Sequence, residues 1–101
     1  MKFFIEIKNE NIVSISRTIG YRPMSINGQG EYSIVRPLTG NNYPRFHIYI
    51  KEKEAGDFIF NLHLDQKKPS YGSTHAHSGE YEGDLIDKEV ERIKKLVEQI
   101  I

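Results

Sequence analysis

Residues 45–65 run Arg45-Phe46-His47-Ile48-Tyr49-Ile50-Lys51-Glu52-Lys53-Glu54-Ala55-Gly56-Asp57-Phe58-Ile59-Phe60-Asn61-Leu62-His63-Leu64-Asp65. Both ends of this stretch alternate apolar and polar residues, the period of a strand whose successive side chains point to opposite faces. Phe46, Ile48 and Ile50 face one way and His47, Tyr49 and Lys51 the other; further on, Phe58, Phe60, Leu62 and Leu64 oppose Asn61, His63 and Asp65. The short connection makes a hairpin of strands over Arg45 to Lys51 and Asp57 to Asp65. A three-residue loop that ends in the left-handed conformation wants glycine last, and Glu54-Ala55-Gly56 supplies it. Lys53 then faces Asp57, Phe46 meets Leu64, Ile48 meets Leu62, Ile50 meets Phe60, Tyr49 meets Asn61, and His47 falls opposite His63. A slip of one residue would mix apolar and polar side chains on each face, whereas a slip of two keeps the alternation and is the competing register.

Working outward, Lys2 to Lys8 reads as a strand in which Phe3, Ile5 and Ile7 alternate with a mixed set. Ile12, Ile15 and Ile19 then fall at helical spacing, with Asn9 or Asn11 as N-cap, Gly20 at C′ and Pro23 beyond it. Pro23 to Gly30 is rich in turn residues. Glu31 to Arg36 reads as a strand that Pro37 ends, since proline cannot donate to a sheet ladder, and Thr39-Gly40-Asn41-Asn42 supplies a loop. Near the C-terminus Ile86, Val90, Ile93, Val97 and Ile100 form one apolar stripe on a helix that Asp84 can cap. Asp84 with Lys88 and Glu91 with Lys95 are acid-before-base pairs on its outer face. The stripe reads as core packing rather than a dimer seam. The resulting order, β-α-β-β-β-α, describes an α+β two-layer sandwich with a mainly antiparallel sheet and a long C-terminal helix, forming a single domain over residues 1–101.

Composition narrows the chemistry. Fourteen basic and fourteen acidic residues cancel to a formal charge of zero, which argues against a general polycation for nucleic acid. A hydrophobic content of 38% is enough for a core and too much for a disordered chain. Without cysteine there is no disulfide framework, thiolate zinc site or thiol nucleophile. The N-terminus lacks the apolar run of a signal peptide and no stretch approaches a membrane span, so the expected setting is cytoplasmic, as a monomer or weak homodimer.

All four histidines lie between His47 and His77. Directly opposed strand residues have Cβ atoms ~4.5–5.5 Å apart, and two imidazole nitrogens on a tetrahedral zinc ion need approach only to ~3.3 Å, given Zn–N bonds of ~2.0–2.1 Å. His47 and His63 can therefore converge on one ion. His75 and His77, an i, i+2 pair, point to one side if extended, and they sit in the long connection from Gln66 to Gly83. Loops beyond ~12–15 residues without structure of their own are uncommon unless functional or disordered. A short strand near Thr74 to His77 that folds back over the polar face would let His47, His63, Asp65, His75 and His77 surround one divalent metal, with zinc favoured by the imidazole-rich donor set. Glu80 and Glu82 can orient ligands or act on a bound water. The plainer alternative is a wet sheet face carrying ordinary half-exposed histidines, because His-x-His has little diagnostic power.

A second class of function rests on Arg17, Arg22, Arg36 and Arg45, interleaved with Tyr21, Tyr32 and Tyr43 against the lone acid Glu31. Arginine forks phosphate and tyrosine stacks on unpaired bases, so this stretch suits a phosphate- or nucleic-acid-binding module. The competing explanation is that these arginines pair with the more acidic C-terminal half. A third reading makes His47 and His63 the general acid and base of a phosphodiesterase, with Arg45, Lys67 or Lys68 steadying the phosphoryl group. No nucleophile is marked: Ser70, Ser73 and Ser78 have no motif tying them to a base.

The order helix, three strands, helix resembles that of the double-stranded-RNA-binding domain, but that family's second helix starts Lys-rich and Gly83-Asp84-Leu85-Ile86-Asp87 is acidic. The segments His63-Leu64-Asp65-Gln66-Lys67-Lys68-Pro69 and Ala76-His77-Ser78-Gly79-Glu80-Tyr81 resemble a group of short, uncharacterised bacterial proteins, a likeness that implies no particular activity.

Overall fold

The computed structural model describes residues 1–66, 79–80 and 82–100. The expected hairpin lies at its centre. Strands β4 (Arg45–Glu54) and β5 (Asp57–Asp65) pair antiparallel with Phe46 opposite Leu64, His47 opposite His63, Ile48 opposite Leu62 and Ile50 opposite Phe60. The register competing by two residues is thus excluded. The turn closes differently from the expectation: the ladder shifts between Glu52 and Glu54, so Glu54 rather than Lys53 faces Asp57, and β4 runs three residues beyond Lys51. Gly56 holds the left-handed conformation the turn requires, at φ 87°. Its carbonyl accepts from Ile7 N–H at 2.7 Å and its N–H donates to Glu52 Oε2 at 2.9 Å, which ties the hairpin tip to the chain leaving the first strand.

That first strand, β1 (Lys2–Glu6), pairs antiparallel with β5, stops short of Lys8, and sets Phe3 on Phe60 with ring centroids 4.9 Å apart. From it the chain crosses the sheet through α1 (Ile12–Ile19), capped by Asn11, whose side chain accepts from Ser14 N–H while the Ser14 hydroxyl accepts from Asn11 N–H. Gly20 ends α1 in the left-handed region, and the Gly20 and Tyr21 N–H groups return to the carbonyls of Arg17 and Ser16. Next comes β2 (Arg22–Ile26), where only turn residues were expected. It pairs with β3 (Tyr32–Pro37) across an irregularity between Pro23 and Ser25, and every one of its residues is exposed, so no apolar alternation marks it in the sequence. Pro37 does not stop β3 beforehand but is its last residue, opposite Arg45.

The sheet order is β1-β5-β4-β3-β2, with β6 (Gly79–Glu80) also against β5 beside β1. The strand expected near Thr74 to His77 lies outside the described residues. Four strands rather than three separate the helices before β6, a departure from the RNA-binding-domain order. The α+β class itself stands, with both helices on one sheet face. There α1 contributes Ile12, Ile15 and Ile19, and α2 (Asp84–Glu98) contributes Ile86, Val90, Ile93 and Val97, over Phe46, Ile48, Ile50, Phe58, Phe60, Leu62 and Leu64. Ile100 lies beyond the end of α2 and is exposed. Gly83, not Asp84, occupies the N-cap, with no side-chain cap; Asp84 and Asp87 instead lie in the first turn, where negative charge suits the helix dipole. Among the described residues no helix is long and apolar enough to cross a membrane.

One charge is sunk into this helical layer. Glu89 of α2 is 3% exposed and accepts from Tyr21 Oη at 2.6 Å and from Arg92 Nε and Nη2 at 2.7 and 2.8 Å. Arg92 Nη2 also donates to the Ile19 carbonyl at 2.6 Å, at the C-terminal end of α1, and Arg36 from β3 approaches Glu89 at 3.4 Å. Burial together with the Glu89 charge pushes the Tyr21 phenol far above its ordinary range, so Tyr21 stays the donor. Removing one partner of a buried ion pair costs ~3–5 kcal/mol; Glu89→Ala is expected near the low end, about 3 kcal/mol, because Arg92 can reach water. Gly56→Ala is expected to cost about 1–2 kcal/mol, because an added Cβ finds ordinary space 3.5 Å from the Ile7 carbonyl but is held at positive φ. Urea unfolding of the two variants beside the wild type checks both values.

Candidate metal centre

On the sheet face away from the helices, the alternation of β4 and β5 places His47 beside His63 and, two residues on, Asp65 beside Arg45. Val35 of β3 lies opposite His47 on its other flank, and Ser33 lies opposite Tyr49. A wet surface was one expectation for this face, yet His47, His63 and Asp65 are only 9%, 7% and 9% exposed. Burial of three ionisable groups together needs compensation within the cluster.

Asp65 provides it. Its Oδ2 lies 3.0 Å from His47 Nδ1 and 3.2 Å from Arg45 Nε, and its Oδ1 lies 3.1 Å from His63 Nε2. The two imidazole rings approach to 4.7 Å between centroids, and Tyr49 lies against both, at 4.6 Å from His47 and 5.6 Å from His63. On the far side of the ring, His47 Nε2 is hydrogen-bonded to Ser33 Oγ. Arg45 stacks its guanidinium over the Tyr43 ring, 4.4 Å from the centroid.

Burial lowers the pKa of His47 against the opposing pull of Asp65, and it lowers that of His63, assisted by the neighbouring His47. Both rings are therefore neutral near pH 7, the protonation state a metal ligand requires. One donor atom from each of His47, His63 and Asp65 can be chosen so that all lie within 4.8 Å of one another. Each histidine already lies near the ~3.3 Å between ligand atoms of a tetrahedral zinc site, but through a different carboxylate oxygen: His47 Nδ1 is 3.0 Å from Asp65 Oδ2 and His63 Nε2 is 3.1 Å from Asp65 Oδ1. Such a group could hold a metal ion.

Of the five residues expected around an ion, the structure brings together His47, His63 and Asp65; His75 and His77 lie outside the described residues, as do Lys67 and Lys68. Glu82 is exposed, and of Glu80 only the backbone is described. The arginines are dispersed. Arg17 and Arg22 are exposed on α1 and β2, Arg36 turns to Glu89 and lies over Phe46 on the helical face, and Arg45, with Tyr43, joins the histidine cluster. Two of the four thus pair with carboxylates of the C-terminal half. Ser33 is the residue the sequence reading passed over. Its signal was the register of β3 against β4, which the hairpin alone does not supply.

No protein-family model matches the chain, and no curated protein or solved structure shows significant similarity to it.

The lowered histidine pKa values fix the sign of the pH dependence. Above about 6.5, the ordinary imidazole value, folded and unfolded chains both carry neutral rings and no penalty arises. As pH falls below it the unfolded chain takes up protons first, so the metal-free fold loses stability until the lowered folded-state values are passed. Urea unfolding at successive pH values should show this loss in the wild type and much less of it in a His47→Gln, His63→Gln double variant; equal losses would contradict it.

Proposed function

We propose that the chain binds one divalent transition metal ion, zinc being the best fit, through His47, His63 and Asp65. The observation that carries this reading is the convergence of two neutral, buried imidazoles on one carboxylate. Two imidazoles and a carboxylate suit zinc among the common metals. The three ligands found among the described residues match the complement of a catalytic zinc site, in which a fourth position takes water or a substrate atom. Such a site polarises a bound oxygen and lowers the pKa of bound water, which supports hydrolytic chemistry.

Arg45 acts against the ion. Its guanidinium already shares Oδ2 of Asp65 and offsets part of the charge a cation would need. This contrast separates the metal reading from an anion site built on the same residues, since Arg45 would hinder a cation and attract a phosphate.

Tag-free protein is expected to take up about one zinc per chain, read by elemental analysis and calorimetry, and to melt higher when loaded. His63→Ala should abolish uptake. Arg45→Met should leave zinc affinity equal or tighter. If the wild type takes up no metal, the reading fails; if Arg45→Met instead abolishes binding of inorganic phosphate to a metal-free chain, the phosphate-site reading replaces it.

A further inference from the structure

Resting on that metal-site reading, we propose that Ser33 is the positioning residue of the centre, and that metal loading reverses the direction of its hydrogen bond with His47. The argument begins with which atoms can donate. An ionised carboxylate only accepts, so the contact of 3.0 Å between Asp65 and His47 requires the proton to sit on Nδ1. In a neutral ring Nε2 then carries a lone pair and accepts from the Ser33 hydroxyl. By the same reasoning the contact of 3.1 Å to Asp65 places the His63 proton on Nε2. Without metal, two N–H protons therefore occupy the space between the rings and the carboxylate.

A cation bound between the same three side chains must take the lone pairs of His47 Nδ1 and His63 Nε2. Each ring can stay neutral only by moving its proton to its other nitrogen. For His47 that nitrogen is Nε2, which faces Ser33. The Ser33 hydroxyl then turns from donor to acceptor. A hydroxyl is one of the few side-chain groups that can do both at a fixed position, because it has one rotatable proton and two lone pairs. Alanine could do neither, and a carboxylate could only accept. Ser33 thus satisfies the His47 ring in both states and holds its plane aimed at Asp65, the service that outer hydrogen-bond partners give to metal-ligating imidazoles.

The placement supports this division of labour. Ser33 reaches the ring from β3 while both histidines and Asp65 come from β4 and β5, so three adjacent strands fix the orientation. The rigid sheet leaves the proton, rather than the backbone, as the part that moves.

Long-range proton–nitrogen NMR of the histidine side chains, recorded on the wild-type chain with and without one equivalent of zinc, reads the tautomers directly. His47 should carry its proton on Nδ1 without zinc and on Nε2 with it. Zinc calorimetry should show Ser33→Ala weaker by about 10- to 100-fold, the usual effect of losing an outer partner, with Ser33→Thr restoring most of the affinity. A His47 that keeps its proton on Nδ1 with zinc bound, or a folded Ser33→Ala chain that binds as tightly as the wild type, overturns the role of Ser33 and leaves the metal site standing. A wild-type chain that takes up no zinc removes the metal site and this inference with it.

Discussion

The pairing of β4 with β5 is the constraint on which the rest of the molecule depends. With a side-chain period of two, one register decides both faces of the sheet at once. Setting Phe46 on Leu64 and Ile48 on Leu62 gives the helices an apolar floor, and the same choice sets His47 on His63 and brings Asp65 beside them. Core and site are two readings of a single alignment. A slip that displaced one would displace the other, so the packing of the core also holds the histidine pair in place.

How far the sequence disclosed this depended on how local the determining physics was. The hairpin, α1 and α2 were legible because apolar period and end signals lie within a few residues of each other: Asn11 and Gly20 bracket α1, and Gly56 marks the turn. β2 was hidden because an edge strand with no buried side chain needs no apolar alternation, and Pro23 within it reads as a turn. The bulge before the hairpin turn was likewise set by backbone geometry that Glu52, Lys53 and Glu54 do not encode as a pattern. At the site, His47, His63 and Asp65 followed from alternation together with the turn that Gly56 marks. Their burial did not, because polar residues on a sheet face are ordinarily solvated, and Ser33 required knowledge of a third strand.

Among the described residues two carboxylates, Asp65 and Glu89, are nearly sealed from water, and they differ in what surrounds them. Glu89 is met by a guanidinium and by a phenol whose proton cannot leave in the ordinary pH range, and together they form a clamp between α2, β3 and the end of α1. Asp65 is met by two imidazoles that remain neutral and can each place a proton on either nitrogen. The first arrangement is a fixed clamp and the second can redistribute its protons, which is why the proposed metal is placed with Asp65 and not with Glu89.

The exposed strand β2 bears on how the molecule behaves among its own copies. A sheet that ends in a bare strand offers unpaired N–H and C=O groups to any passing chain, and exposed Met24 and Ile26 would add apolar attraction to such an encounter. Pro23 removes one donor from that row and the irregularity at Met24 breaks its spacing. The edge that defeated sequence reading is thereby also a poor template for further strand addition, and a protein of zero net charge, with little electrostatic repulsion between copies, gains colloidal protection from the local backbone instead.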